Sequence, residues 1–198
     1  MRKLLLSLLC AVLSAGAFAQ GDFYVGAKAG VAANWIPGTT ILPDDDVLPN
    51  FGFYGGATFT LGLSDVCALQ AELLYARKGI MTKGEVFQNR YIRNIHYIEL
   101  PVLFSMRVAD DRYRVMLGPE FGYALGTTVK NMSGKKDPAS ADALQRFNVG
   151  AVLQTTYFVT DNLGIDVKFD CGFTKTFAAI DKGHNASVMV GLSYCFGM

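Results

Sequence analysis

The stretch Leu163 to Thr174, LGIDVKFDCGFT, decides the fold. Leu163, Ile165, Val167, Phe169, Cys171 and Phe173 fall on one parity, and Gly164, Asp166, Lys168, Asp170, Gly172 and Thr174 on the other. Successive side chains of a strand point to opposite sides, so this segment has one wholly apolar face and one charged face. Its β-branched and aromatic content suits a pleated surface. The run Arg112 to Leu125 repeats the pattern: Tyr113, Val115, Leu117, Phe121, Tyr123 and Leu125 oppose Arg112, Arg114, Met116, Gly118, Glu120 and Gly122.

Such runs recur about eight times, each long enough to cross a bilayer as a tilted strand. The others lie near 22–33, 51–63, 67–79, 92–108, 146–159 and 186–196. The connections alternate long and short. Ser64 to Val66, Ala109 to Asp111 and Thr160 to Asn162 are tight turns, whereas Asn34 to Asn50, Ile80 to Tyr91, Gly126 to Gln145 and the segment through Asp181-Lys182-Gly183 are polar loops rich in breakers. Hydrophobic content of 51% and a mean hydropathy of +0.26, with no long apolar helix, call for an environment for the apolar faces. The expectation is an all-β, eight-stranded, antiparallel up-and-down transmembrane β-barrel with short periplasmic turns and long extracellular loops. A Greek-key sandwich has no reason to keep this rhythm. A secreted lipocalin-like carrier would put the apolar faces inside and leave the charges in water. Pro101 and Pro119 interrupt two strands, and local distortion is expected there.

Residues 1–19 read as a cleaved signal peptide: Arg2 and Lys3, an apolar core from Leu4 to Leu13, and Ala17-Phe18-Ala19 before Gln20. Residues 20–198 are then expected to form the barrel domain, with the bacterial outer membrane as its expected location. Removing Arg2 and Lys3 from 18 basic residues leaves 16 against 17 acidic, close to neutrality and without a nucleic-acid footprint. Cys67, Cys171 and Cys195 lack metal-ligand spacing, so no metal or cofactor is expected, and the three read as small apolar packing with one disulfide as the competing reading.

The candidate functional residues face inward. Lys28, Arg107, Arg112, Arg114 and Lys168 share the interior parity with Glu72, Glu99, Glu120, Asp166 and Asp170, as do Gln70 and Lys78. Buried charges must be paired, so these ten predict a salt-bridge network filling the lumen. An eight-stranded barrel is only wide enough for its own side chains. A small-solute porin is the competing reading. An outer-membrane lipid-modifying enzyme would need His96 or His184 beside a hydroxyl and a carboxylate. His184 and Ser187, three apart on a strand, fall on opposite faces, so no catalytic set is expected.

Three stretches, LQAELLYARKG (Leu69 to Gly79), YIELPVLFSMR (Tyr97 to Arg107) and LGPEFGYALG (Leu117 to Gly126), resemble the outer-membrane β-barrel family common in Bacteroidetes, whose members are called porin-family or OmpA-like barrels and include PorT. The resemblance includes Glu72, Glu99, Pro101, Pro119 and Glu120 and implies fold and location more than activity. It implies outer-membrane lipids and lipopolysaccharide as surroundings, the barrel assembly machinery as a partner, and a structural, adhesive or assembly and secretion role through loops that could meet a protein partner. Barrels of this kind often end on an aromatic residue; here Phe196 is followed by Gly197 and Met198.

Overall fold

The computed structural model describes residues 23–35, 46–83, 90–108, 112–131, 136–137, 145–175 and 184–196. Residues 1–19, expected to be a signal peptide, lie outside the described residues. Among the described residues nine strands follow in order: β1 (Phe23–Trp35), β2 (Asp46–Gly62), β3 (Cys67–Lys83), β4 (Arg90–Arg107), β5 (Tyr113–Asn131), β6 (Lys136–Asp137), β7 (Phe147–Phe158), β8 (Leu163–Lys175) and β9 (His184–Phe196). Every pairing is antiparallel. The order β4-β3-β2-β1-β9-β8-β7-β5 closes through β4–β5, so eight strands form an up-and-down barrel and β6 is a two-residue addition to β5.

The register gives the geometry of closure. From Lys28, cross-strand partners lead through Gly56, Leu74, Glu99 and Gly122 to Asn148. In the other direction they lead through Ser193 and Gly164 to Phe158 on the same strand, ten residues away. That stagger tilts the strands by roughly 40°.

The faces follow the alternation. Val167 and Phe169 are exposed and Asp166 and Lys168 are fully buried. Exposed rings form one band beside the short turns, Phe23, Tyr113, Tyr157, Tyr194 and Phe196, and another toward the opposite end, Phe51, Phe53, Tyr123, Phe147 and Phe173, with Phe59, Phe104, Phe121 and Phe169 between them. Tyr113 pairs with Tyr157, and ten residues along the same two strands Tyr123 pairs with Phe147. Ten tilted residues rise about 25 Å, the height of the apolar band of an outer-membrane barrel between its aromatic girdles.

The short turns are closed locally. Ser64 Oγ accepts the Cys67 N–H at 3.1 Å and Thr160 Oγ1 accepts the Leu163 N–H at 3.0 Å, the self-capping that suits these residues to turns. At the other end β2 to β5 run 17, 17, 18 and 19 residues, whereas β1, β7, β8 and β9 have 12 or 13. The surplus lies beyond Asn34↔Asn50 and Tyr123↔Phe147, the last pairs these strands share with β1 and β7. A four-stranded ridge therefore rises from one side of the extracellular rim, with β6 along its β5 edge. Register shifts sit at its base, between Pro49 and Phe53 in β2 and at the His96/Tyr97 step opposite β5, where bulges bend strands off the cylinder. Residues 46–50, 80–83, 90–91 and 126–131, expected as loop, are strand, because above the membrane a strand no longer needs an apolar face to be paired.

The prolines interrupt pairing locally, as expected, and do so without shifting the register. The β3–β4 pairing passes from Ala71↔Val102 to Leu74↔Glu99 with unchanged register, and β4–β5 passes likewise from Pro101↔Glu120 to Phe104↔Leu117. The ladder lapses beside Pro101 and Pro119 without a bulge.

This placement predicts that Phe169→Arg, which puts a charge on the lipid face, weakens folding into bilayers by roughly 2 to 4 kcal/mol. Urea titration in lipid vesicles measures it. In a Trp35→Phe background, a Phe169→Trp probe is expected to be quenched by brominated lipid; no quenching would mean that the face does not meet lipid.

Candidate functional site

The lumen contains two charged layers. In the layer nearer the periplasm, Lys28 of β1 reaches Glu72 Oε1 of β3 at 2.7 Å and Gln154 Oε1 of β7 at 2.9 Å, with Asp166 Oδ2 of β8 at 4.0 Å. Gln70 Nε2 donates to the same Glu72 oxygen at 2.7 Å, and Thr156 donates to Asp166. Leu103, Met116 and Val152 fill the remaining side.

In the upper layer Lys78 is the hub. Its Nζ lies 2.6 Å from Glu99 Oε1, 2.9 Å from Asp170 Oδ2 and 3.4 Å from Glu120 Oε1, one carboxylate for each ammonium donor. Lys168 holds the other Glu120 oxygen at 2.7 Å. Ala32, Tyr54, Leu74, Ala76 and Met189 form the apolar complement. Tyr54 crosses Gly30 and Gly191, partners on β1 and β9, and a Cβ at either glycine would collide with its ring or hydroxyl. Above this layer Tyr97 and Asn185, both buried, share a hydrogen bond of 3.0 Å.

Of the ten charges expected in the lumen, Lys28, Glu72, Glu99, Glu120, Asp166, Lys168 and Asp170 are buried. Arg107, Arg112 and Arg114 are not. Arg112 is exposed, and Arg107 and Arg114 are half-buried Cα partners at the periplasmic rim. Arg114 lays its guanidinium over the Phe158 ring at 4.6 Å. The reason is position along the axis: parity assigns a face, but these three lie at the strand ends beside the β4–β5 turn, where water is available. Lys78 has the inward parity but is not one of the ten expected charges; its Cα pairs with Ile95, and its side chain reaches Glu99, Glu120 and Asp170.

A cavity of about 30 Å³ lies at the periplasmic end, among Thr58, Thr60, Gln70, Arg114, Met116, Thr156, Phe158, Ser193 and Cys195. It has room for one or two waters. Cys67, Cys171 and Cys195 are free thiols, and the described residues contain no group of His, Cys, Asp and Glu arranged to hold a metal.

On the outer face His96 sits between two hydroxyls, with Tyr75 OH at 2.6 Å from Nδ1 and Thr128 Oγ1 at 3.3 Å from Nε2. Its hydrogen-bonding positions are thus filled without a carboxylate. Ser187 is fully buried while His184 is half-buried with an unpartnered Nδ1, so these two do not meet.

If the upper layer is held by Lys78, Lys78→Met should cost roughly 3 to 5 kcal/mol by stranding Glu99 and Asp170. Arg114→Gln, which loses a half-exposed cation–π contact, should cost about 1 kcal/mol or less. Equal losses in vesicle unfolding titrations would contradict the assignment of the hub.

Comparison with known proteins agrees with this architecture. No curated protein matches the chain in sequence. Among solved structures, neisserial surface protein A (NspA) has 14% identity, with 87% of this chain and 96% of that one covered at a TM-score of 0.57. Ail of Yersinia pestis (12% identity, 89% and 99% covered, TM-score 0.47) and OprG of Pseudomonas aeruginosa (13%, 90% and 97%, 0.46) also align. At these identities the likeness to NspA shows a shared fold. The model of the outer membrane protein β-barrel domain matches residues 18–178, most of the chain, so this protein belongs to that family and resides in the outer membrane.

Proposed function

We propose that the lumen of this barrel is a structural plug and that its biological work is done at the extracellular ridge, in an adhesive, assembly-related or purely structural capacity. The observation that carries the reading is the filling of the lumen. Side chains from all eight barrel strands are buried there, Leu74, Leu103, Val152, Met189, Glu72 and Lys168 at 0% exposure, and both charged layers cross the bore. The periplasmic cavity ends against Gln70, Met116 and Thr156, which abut the lower layer.

The porin reading needs a continuous aqueous path, and the charged layers oppose one. The enzyme reading needs a base oriented by an acid, and the hydrogen bonds of His96 supply two hydroxyls instead. The ridge, by contrast, stands clear of the girdle and presents strands of fixed geometry to the medium, which suits a protein partner. On the same reading β9, with Tyr194 and Phe196 exposed near its end, is the strand that the barrel assembly machinery engages.

Two experiments test this. Purified protein in planar bilayers should show no stable, porin-sized conductance; a reproducible large pore would replace the plug by a channel. Cells displaying the protein should lose any adherence it confers when residues 80–93 are replaced by a tight turn, provided the shortened barrel still migrates as a folded species on unboiled gels. Adherence unchanged by the shortening would leave only the structural role.

A further inference from the structure

We propose that the outer face at the base of the ridge binds the phosphate of an outer-leaflet lipid, with Arg77 as the contacting cation. Arg77 lies on the lipid-facing parity of β3, in line with Leu69, Ala71, Leu73 and Tyr75. It stands at the level of the extracellular ring band, as the direct partner of Phe53 on β2 and of His96 on β4. A permanently charged side chain at this height is opposite the head groups, where aromatic belts and basic side chains meet the polar boundary of a bilayer.

The guanidinium is held in place. Its carbon sits 4.9 Å from the centroid of the exposed Phe53 ring, and Nη2 donates to the Phe51 carbonyl at 3.3 Å. Phe53 meets Tyr75 in turn in a tilted contact at 6.0 Å, and Tyr75 stacks on His96 at 6.0 Å. His96 is fixed by Tyr75 and Thr128. A preorganised guanidinium loses less freedom on meeting a phosphate than a mobile lysine does, and its planar fork matches phosphate oxygens.

Charge complementarity selects the occupant. Outside the lumen at this height the described charged side chains include Arg77 and the exposed Arg146 beside Tyr123, and none of those described there is a carboxylate. The described outer surface at the ridge base is therefore positive beside an anionic leaflet. Basic residues close to a membrane surface attract anionic head groups. The surface is thus suited to lipopolysaccharide, the outer-leaflet partner expected from the sequence, through the phosphates of its lipid anchor.

The test uses the folded full-length barrel in mild detergent, with the bis-phosphorylated lipid anchor of lipopolysaccharide and the same lipid enzymatically stripped of phosphate. Lipid retained per barrel after washing is measured by mass spectrometry. Wild type should retain the phosphorylated lipid roughly tenfold better than the stripped one, the worth of a charge-assisted hydrogen bond. Arg77→Gln should abolish the difference, and Arg114→Gln at the periplasmic rim should leave it intact. Equal retention of the two lipids by wild type overturns the proposal, as does an undiminished preference in folded Arg77→Gln. If Arg77→Gln fails to fold, the wild-type comparison decides alone. Displacement of the lipid by millimolar inorganic phosphate would also overturn it, by making the site one for the free ion.

Discussion

Everything in this structure depends on the absence of water at the barrel wall. A backbone N–H or C=O exposed to hydrocarbon costs several kcal/mol, so each strand must be paired on both edges and the sheet must close. The β1–β9 seam completes that circuit, from Val25↔Phe196 to Trp35↔Ala186. Pro101 and Pro119 each remove a donor from the circuit, and they sit on neighbouring strands beside the same short lapse in the ladder. At Gly118 in that patch a Cβ would run into the Val102 carbonyl oxygen, so the missing side chain lets β4 and β5 lie close where pairing is interrupted.

Closure with eight strands leaves a narrow bore, and the lipid outside forces polar groups into it. Lysine meets this constraint better than arginine. Its compact ammonium has three donors in a tripod, and Lys78 of β3 spends them on carboxylates from the adjoining β4, from β5 and, across the bore, from β8. Lys28 does the same for β3, β7 and β8. Such links are weak as sources of net stability, because desolvation offsets most of their attraction. Their consequence is registry: a slip of one residue would turn every lysine toward lipid.

The alternation in Leu163 to Thr174 made the barrel, its closure and its two faces legible, because a membrane imposes the period of two on every residue it touches. The charge layers were legible only in part. Parity placed Glu72, Glu99, Glu120, Asp166, Lys168 and Asp170 correctly but carries no information about height, so Arg107, Arg112 and Arg114 were grouped with residues far up the axis. The ridge was illegible for the complementary reason. Segments such as Lys83 and Arg90 to Tyr91 are strand by backbone pairing alone, and no apolar face records that pairing in the sequence.

The division of the molecule into a filled cylinder and a one-sided ridge constrains where function resides. A lumen built from shared ion pairs changes state only by breaking several of them together, which opposes graded opening. The rim has no such restriction. At the ridge base the bulges near Phe53 and Leu125 release the strands from the cylinder, and Arg77, Tyr75 and His96 sit at that hinge on the lipid side. A head group bound there would brace the ridge against the leaflet and fix its tilt. On the proposal of a lipid site at Arg77, lipid binding and presentation of the ridge to the medium are two consequences of the same strand extension.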